Sequence, residues 1–177
     1  MSTAISPLAT LALGVLGLAA IFFHMLPMQL VPGGLVVPDI LLALCVAWVL
    51  RRPDGAPLLL VAALVLLADL TQDQPTGLWA LLSLFVVEAS RGHIEAVRNR
   101  PFLYEWGAFA GLLALALVLQ ALVLTVALVP RPPLDVTLQL FAMTVVAYPL
   151  VVAVLHLLIR IRAPKPAERS RRLGRVA

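Results

Sequence analysis

The sequence predicts an all-α polytopic membrane protein, a bundle of six transmembrane helices with the N-terminus and the C-terminus both cytoplasmic. Three observations carry that expectation. Of the 177 residues, 62% are apolar and 12% charged, where soluble domains run near about 45–50% and about 25%; a globule of this size has too little interior to hide the excess. The charges are also segregated, with residues 1–50 holding only Asp39 and residues 106–159 only Arg131 and Asp135. Finally, the apolar runs are rich in Leu and Ala and do not alternate apolar with polar, which favours helices over the strands of a β-barrel. The same pattern excludes a disordered chain, a nucleic-acid module built on a basic globular face, and a large soluble catalytic domain. Cys45 is the one cysteine and lies inside an apolar run, which leaves no intrachain disulfide and no Cys-x-x-Cys metal cluster.

The elements follow in order. Met1–Ser6 has no Lys or Arg and no A-x-A site closes a short apolar core, so no cleaved secretory signal is expected. Leu8–Leu26 is long enough for the ~20 residues that cross a ~30 Å hydrocarbon layer and stops at Pro27. The second run, Leu35–Leu50, contains Pro38-Asp39 near its start and ends at Arg51-Arg52. The turn signal Arg52-Pro53-Asp54-Gly55 leads to the third, Pro57–Leu70, where Pro57 suits a first helical turn. Thr71–Gly77 reads as a polar turn before the fourth, Gly77–Ser90. Arg91–Pro101 is a basic loop. Two long runs follow, Phe102–Val129 and Leu134–Ile159, separated by Pro130-Arg131-Pro132-Pro133, which cannot continue a helix. Residues 1–162 thus form the membrane domain and 163–177 a basic, disordered cytoplasmic tail. Spans two to four reach only ~21–24 Å as helices. They are expected to extend into their charged ends, with Asp39, Asp69 and Glu88 shielded by protein.

Chemistry is sparse. His24, His93 and His156 have no ligand spacing, and no H-E-x-x-H, Gly-rich phosphate loop or nucleophile elbow is present. No enzymatic activity, catalytic residue, cofactor or metal site is therefore expected. The acids are more informative, because a carboxylate at mid-depth costs ~2.5–3.5 kcal/mol on insertion scales. Asp39 follows Pro38 at a helix start, where a cap for orphan N–H groups is the plain reading. Asp73 suits a solvated turn. Asp69 ends a helix, where negative charge is unfavourable; its partner is expected to be Arg131, another chain or water. Gly107 and Gly111, with Ala110 and Ala114 beside them, make a small-residue face that lets a helix approach closely. Arg160–Ala177 carries seven basic residues and one acid. At about 1 kcal/mol per basic residue near anionic lipid, surface adhesion is the default for this tail. Arg169, Arg171 and Arg172 are its candidate contacts, with Arg91, Arg98 and Arg100 in the loop before span five, which could also dock a cytoplasmic protein. Nucleic acid is not an expected partner, since no aromatic residues interleave the basic ones.

Val37-Pro38-Asp39-Ile40-Leu41-Leu42, then Ala68-Asp69-Leu70, then Pro75-Thr76-Gly77-Leu78-Trp79-Ala80-Leu81 stand in an order and spacing that resemble the bacterial rod shape-determining protein family MreD, as do Arg100-Pro101-Phe102 and Glu105-Trp106. The resemblance covers roughly residues 8–160. This chain departs from it in having Leu66 and Leu67 where family members often place a glycine shortly before the acid. The resemblance implies a non-enzymatic scaffold subunit of the cell-wall elongation machinery in the bacterial inner membrane. Implied partners are MreC, the glycan polymerase RodA, its penicillin-binding transpeptidase and the actin-like MreB. Pro38, Asp39, Asp69 and Gly77, with the Gly107 and Gly111 face, are the candidate partner-binding residues. An alternative is a small-molecule-binding subunit of a vitamin transporter, of the S-component kind, but three Trp and two Tyr are few for an aromatic-lined pocket. A proton-coupled carrier using Asp39, Asp69 or Glu88 is a third possibility, without obvious inverted repeats.

Lys and Arg in the loops orient the bundle. Six spans put Arg51, Arg52, Arg91, Arg98, Arg100 and the basic residues from Arg160 onward on one side, twelve in all, and Arg131 alone on the other. A reporter enzyme active only outside the cytoplasm, fused after Ala177, is therefore expected to give no signal; a bright signal overturns this topology.

Overall fold

Each long apolar run folds as an α-helix in the computed structural model, which describes residues 7–25, 36–71, 77–98 and 100–161. Seven α-helices lie among the described residues: α1 (Pro7–Met25), α2 (Ile40–Arg51), α3 (Leu58–Asp69), α4 (Leu78–Gly92), α5 (Ile94–Arg98), α6 (Phe102–Val126) and α7 (Leu134–Ile161), with a 3-10 turn at Pro53–Gly55. The chain is all-α, and α1, α6 and α7 are long and apolar enough to cross a membrane.

Capping chemistry accounts for the places where the helices depart from the sequence-based boundaries. The second run was expected from Leu35, but α2 starts only at Ile40 because Asp39 takes the N-cap and its carboxylate accepts the Leu42 N–H at 2.9 Å; residue 35 itself lies outside the described residues. Pro57 stands just before the first turn of α3, in extended conformation (φ −61°, ψ 141°). The stretch read as a loop, Arg91–Pro101, contains the end of α4 and the short helix α5. The apolar run expected to be helical through Val129 ends as helix at Val126. There Leu128 turns left-handed (φ 56°), the Val129 N–H bonds Leu124 O at 3.0 Å and the Leu128 N–H bonds Thr125 O at 3.3 Å. This closing turn is usually given to glycine.

The bundle is organised around α2, in which every residue from Leu41 to Val49 is buried. A helix apolar on all sides belongs in an interior, and α2 is packed by α7, α4, α1 and α3. Helix α1 runs antiparallel to it: Ala9 meets the Gly55 turn at one end, while Ile21 and His24 reach Asp39 and Ile40 at the other. Built Cβ positions at Gly14 and Gly17 meet Leu60 and Leu64, so α1 and α3 advance together and lie parallel. Gly55 is required by proximity, because a Cβ there would sit 2.6 Å from the Ala9 Cβ and 3.2 Å from Trp48 Nε1. The two ends of α2 define the two ends of the bundle, called here the Asp39 end and the Arg51 end.

Pro149 lies within α7. Its missing N–H leaves the Val145 carbonyl without its helical donor, and Trp106 of α6 supplies one, donating from Nε1 at 2.9 Å. Substitution by a neighbouring helix is how proline is tolerated in lipid-dissolved helices.

Leu128 is 91% exposed, so its side chain contributes no packing within the chain, while its left-handed backbone costs ~1–2 kcal/mol relative to glycine. Leu128→Gly is expected to stabilise the solubilised protein by about 1 kcal/mol, seen as a rise in thermal midpoint. A fall would mean that the side chain has a contact outside the chain.

Candidate functional site

The Asp39 end is built on one carboxylate with two occupied oxygens. Oδ1 caps α2 through Leu42 N–H, Oδ2 accepts the Trp79 Nε1 proton at 2.9 Å, and the Asp39 backbone N–H donates to Thr144 Oγ1 at 3.0 Å. Half-buried Asp39, preceded by half-buried Pro38, thereby ties α2 to α4 and α7 in one junction. The cap foreseen from Pro38-Asp39 is present, and it is also an interhelical contact.

Asp69, the last residue of α3, is 1% exposed. Its Oδ2 accepts the backbone N–H of Gly77, and its Oδ1 has no hydrogen-bond partner among the described residues. Arg131 is not its partner among the described residues; Oδ2 is taken instead by a main-chain amide eight residues on. The electrostatics explain this contact. A carboxylate is disfavoured by the dipole at the end of α3, but here it faces the first turn of α4, where the dipole favours it. Gly77 permits that arrangement because its φ of +99° is open only to glycine without strain. Since Trp79 follows two residues later on the same turn, the start of α4 links Asp69 to Asp39. A cleft lined by Ala20, Ile21, His24, Asp39, Ile40, Leu41, Ala68 and Thr71 opens beside this unit. Its volume of about 20 Å³ admits one water-sized guest.

The Arg51 end holds a second polar cluster. Arg51 donates to both Glu105 oxygens, at 2.9 and 3.2 Å, and to its own Ala47 carbonyl; Tyr148 donates its hydroxyl to Glu105 Oε1 at 2.6 Å. Tyr148 is fully buried and stacks on Phe109 with ring centroids 4.2 Å apart. This cluster joins α2, α6 and α7. Sequence reasoning counted Arg51 only as a loop charge and Glu105 only as part of a motif, and it passed over Tyr148 and Thr144. A lone acid in the first turn of a long apolar run was the available signal for Glu105, and an Arg closing an apolar helix the signal for its partner. Nothing in the sequence marked Thr144.

The remaining candidates are dispersed. Gly107 and Gly111 are exposed on α6 and a Cβ at either would meet nothing within 4 Å, so the close helix approach read from their spacing is not made within the described bundle. Arg91 is turned inward, pairing with Glu88 at 3.1 Å and donating to the Pro53 and Ala56 carbonyls at 3.3 and 2.7 Å, where it clamps the turn after α2. Arg100 is exposed and lies 4.5 Å from the Tyr104 ring centroid. The Arg98 side chain and Arg169, Arg171 and Arg172 lie outside the described residues. Among the described residues no group of three or more His, Cys, Asp or Glu could hold a metal ion.

Comparison with protein-family models, curated proteins and solved structures returns no match for this chain.

Removing one member of a buried ion pair leaves the other uncompensated, at a cost of ~3–5 kcal/mol, whereas an apolar replacement of the whole group is often near neutral. Arg51→Leu alone is expected to destabilise the detergent-solubilised protein by that amount. Arg51→Leu combined with Glu105→Leu and Tyr148→Phe should recover most of the loss in thermal or denaturant unfolding.

Proposed function

We propose that this chain is a non-enzymatic, MreD-type scaffold subunit of the bacterial cell-wall elongation machinery, crossing the inner membrane six times with both termini in the cytoplasm. The observation that carries this reading is convergence. Of the stretches that suggested the resemblance, Asp39 bonds Trp79 forty residues on, and Asp69 bonds Gly77 across the turn eight residues on, both at one end of the bundle. On this reading α2, α3 and α4 complete the membrane domain begun by α1, α6 and α7, and the Arg51 end faces the cytoplasm, where most Lys and Arg fall.

In this role the Asp39 end receives or orients the single spanning helix of MreC, with RodA, its transpeptidase and MreB further partners and anionic phospholipid holding the basic tail. Helices gain little from burying apolar surface against one another in lipid, so an adaptor needs polar anchors and well-packed rigid faces. The Asp39–Trp79–Thr144 and Asp69–Gly77 contacts supply the anchors. A cleft of about 20 Å³ is far below the ~300–1,000 Å³ of small-molecule sites, which weighs against the vitamin-binding alternative.

Asp39→Leu and Asp69→Leu, each made in protein that remains monodisperse, are expected to weaken detergent-resistant copurification with MreC several-fold, while Asp39→Asn, which keeps one acceptor oxygen for either Leu42 or Trp79 but not both, should fall between wild type and the leucine variant. Depletion in the native bacterium should turn rods into spheres. Unchanged copurification with both leucine variants, or normal rods with a nutrient requirement, would overturn the reading.

A further inference from the structure

We propose that water enters the outer half of the membrane beside α7 and reaches the Asp39 junction at mid-depth, in a recess floored by His24, Asp39 and Thr71. Outer here means the side opposite the Arg51 end. The inference concerns depth, which the scaffold role leaves open; only the side on which the recess opens rests on the six-span reading.

The helices differ in length, and their hydrogen bonds fix how they line up. The apolar stretch of α7 able to cross a membrane runs from Leu134 to Leu158, 25 residues with Val146 at its middle. Thr144, which accepts the Asp39 N–H, stands two residues from that middle, or ~3 Å along the axis. Ten residues separate Thr144 from the outer start of α7 at Leu134, ~15 Å of rise. Helix α6 agrees: Trp106, which bonds Val145 O, lies twenty residues before Val126, ~30 Å and far more than an indole can span. The first turn of α2 therefore lies near the middle of the layer that α6 and α7 are long enough to cross, and not at its edge.

What stands at that level is unsuited to hydrocarbon. Residues 36–39 are not helical, α3 ends at Asp69 with a turn at Leu70 and Thr71, and α4 begins after left-handed Gly77. The Asp39–Trp79 bond, and the cleft shared by His24, Asp39, Ala68 and Thr71, put these ends at one height. Irregular backbone at membrane depth is tolerated only where protein buries it or water meets it. This chain does not bury it: Asp39 is half-buried, and His24, Leu70 and Thr71 are exposed. One turn above Thr144 on the same side of α7, Leu140 and Phe141 are only half-buried, as is Thr137 a turn further out, so the covering stays incomplete toward the outer end. A carboxylate touched by lipid at mid-depth is costly, whereas water hydrates it. The cleft of about 20 Å³ closes the recess at its floor, admitting a water and nothing larger.

Single nitroxide labels on the full chain in lipid nanodiscs test the proposal; the buried Cys45 escapes the label. Leu138→Cys, Val146→Cys and Leu157→Cys, at exposed positions along α7, locate the bilayer centre by collision with oxygen, which concentrates there. Thr71→Cys, also exposed, reads the floor by collision with a water-soluble nickel chelate. Oxygen collisions are expected to peak at Val146→Cys, and nickel collisions at Thr71→Cys to exceed those at Val146→Cys several-fold. An oxygen peak at Leu157→Cys would place the junction at the outer surface and overturn the recess, as would nickel collisions at Thr71→Cys no higher than at Val146→Cys. In right-side-out vesicles a membrane-impermeant methanethiosulfonate is expected to block Thr71→Cys from outside. A block from the cytoplasmic side alone, with the nickel result unchanged, would overturn the outward opening together with the six-span orientation.

Discussion

A helix with no polar side, surrounded by others almost as apolar, has little reason to stop at one depth or one rotation. Water drives such surfaces together in a soluble protein, but hydrocarbon does not distinguish a leucine from its own tails, so register must come from directional contacts. In this chain α2 is that helix, and it is anchored at both ends. At one end Asp39 holds its first turn and reaches α4 and α7; at the other Arg51 reaches α6 and α7 through Glu105 and Tyr148. The rest of the bundle packs against a rod whose height and rotation are set by these two side chains.

Each anchor makes its neighbours depend on one another. Asp39 can accept from Trp79 only because α4 begins where it does, and α4 begins there because Gly77 turns left-handed and offers its amide to Asp69. The polar residues of one end thus form a continuous structural unit. Asp69 Oδ1 is buried without a donor among the described residues.

Much of this was legible in the sequence. Six of the seven helices follow from apolar runs bounded by proline, glycine and charge, and the Asp39 cap follows from Pro38-Asp39 at a run's start. The errors share a physical origin. Helix ends are set by single residues, so Leu128 and Asp39 moved boundaries that hydropathy alone extended. Partner choice needs three-dimensional proximity, so Asp69 could not be matched with Gly77, nor Glu105 with Arg51 and Tyr148, from local chemistry. The glycine spacing of α6 identifies a surface able to be approached closely, and in this fold that surface looks outward.

The short helices have a consequence for the lipid itself. Helix α3 is twelve residues, about 18 Å of rise, and Leu58, Leu59, Leu66 and Leu67 lie on its outer flank. With α3 as one of the six spans proposed above, acyl chains relaxed at ~30 Å would compress to match that flank, at a fraction of a kcal/mol for each ångström. On the six-span reading the bilayer would be dimpled there, and the dimple would extend past the protein. Any neighbour carrying a comparably short stave relieves part of the strain by sharing the same depression, so proteins can be gathered along α3 before a single side chain touches.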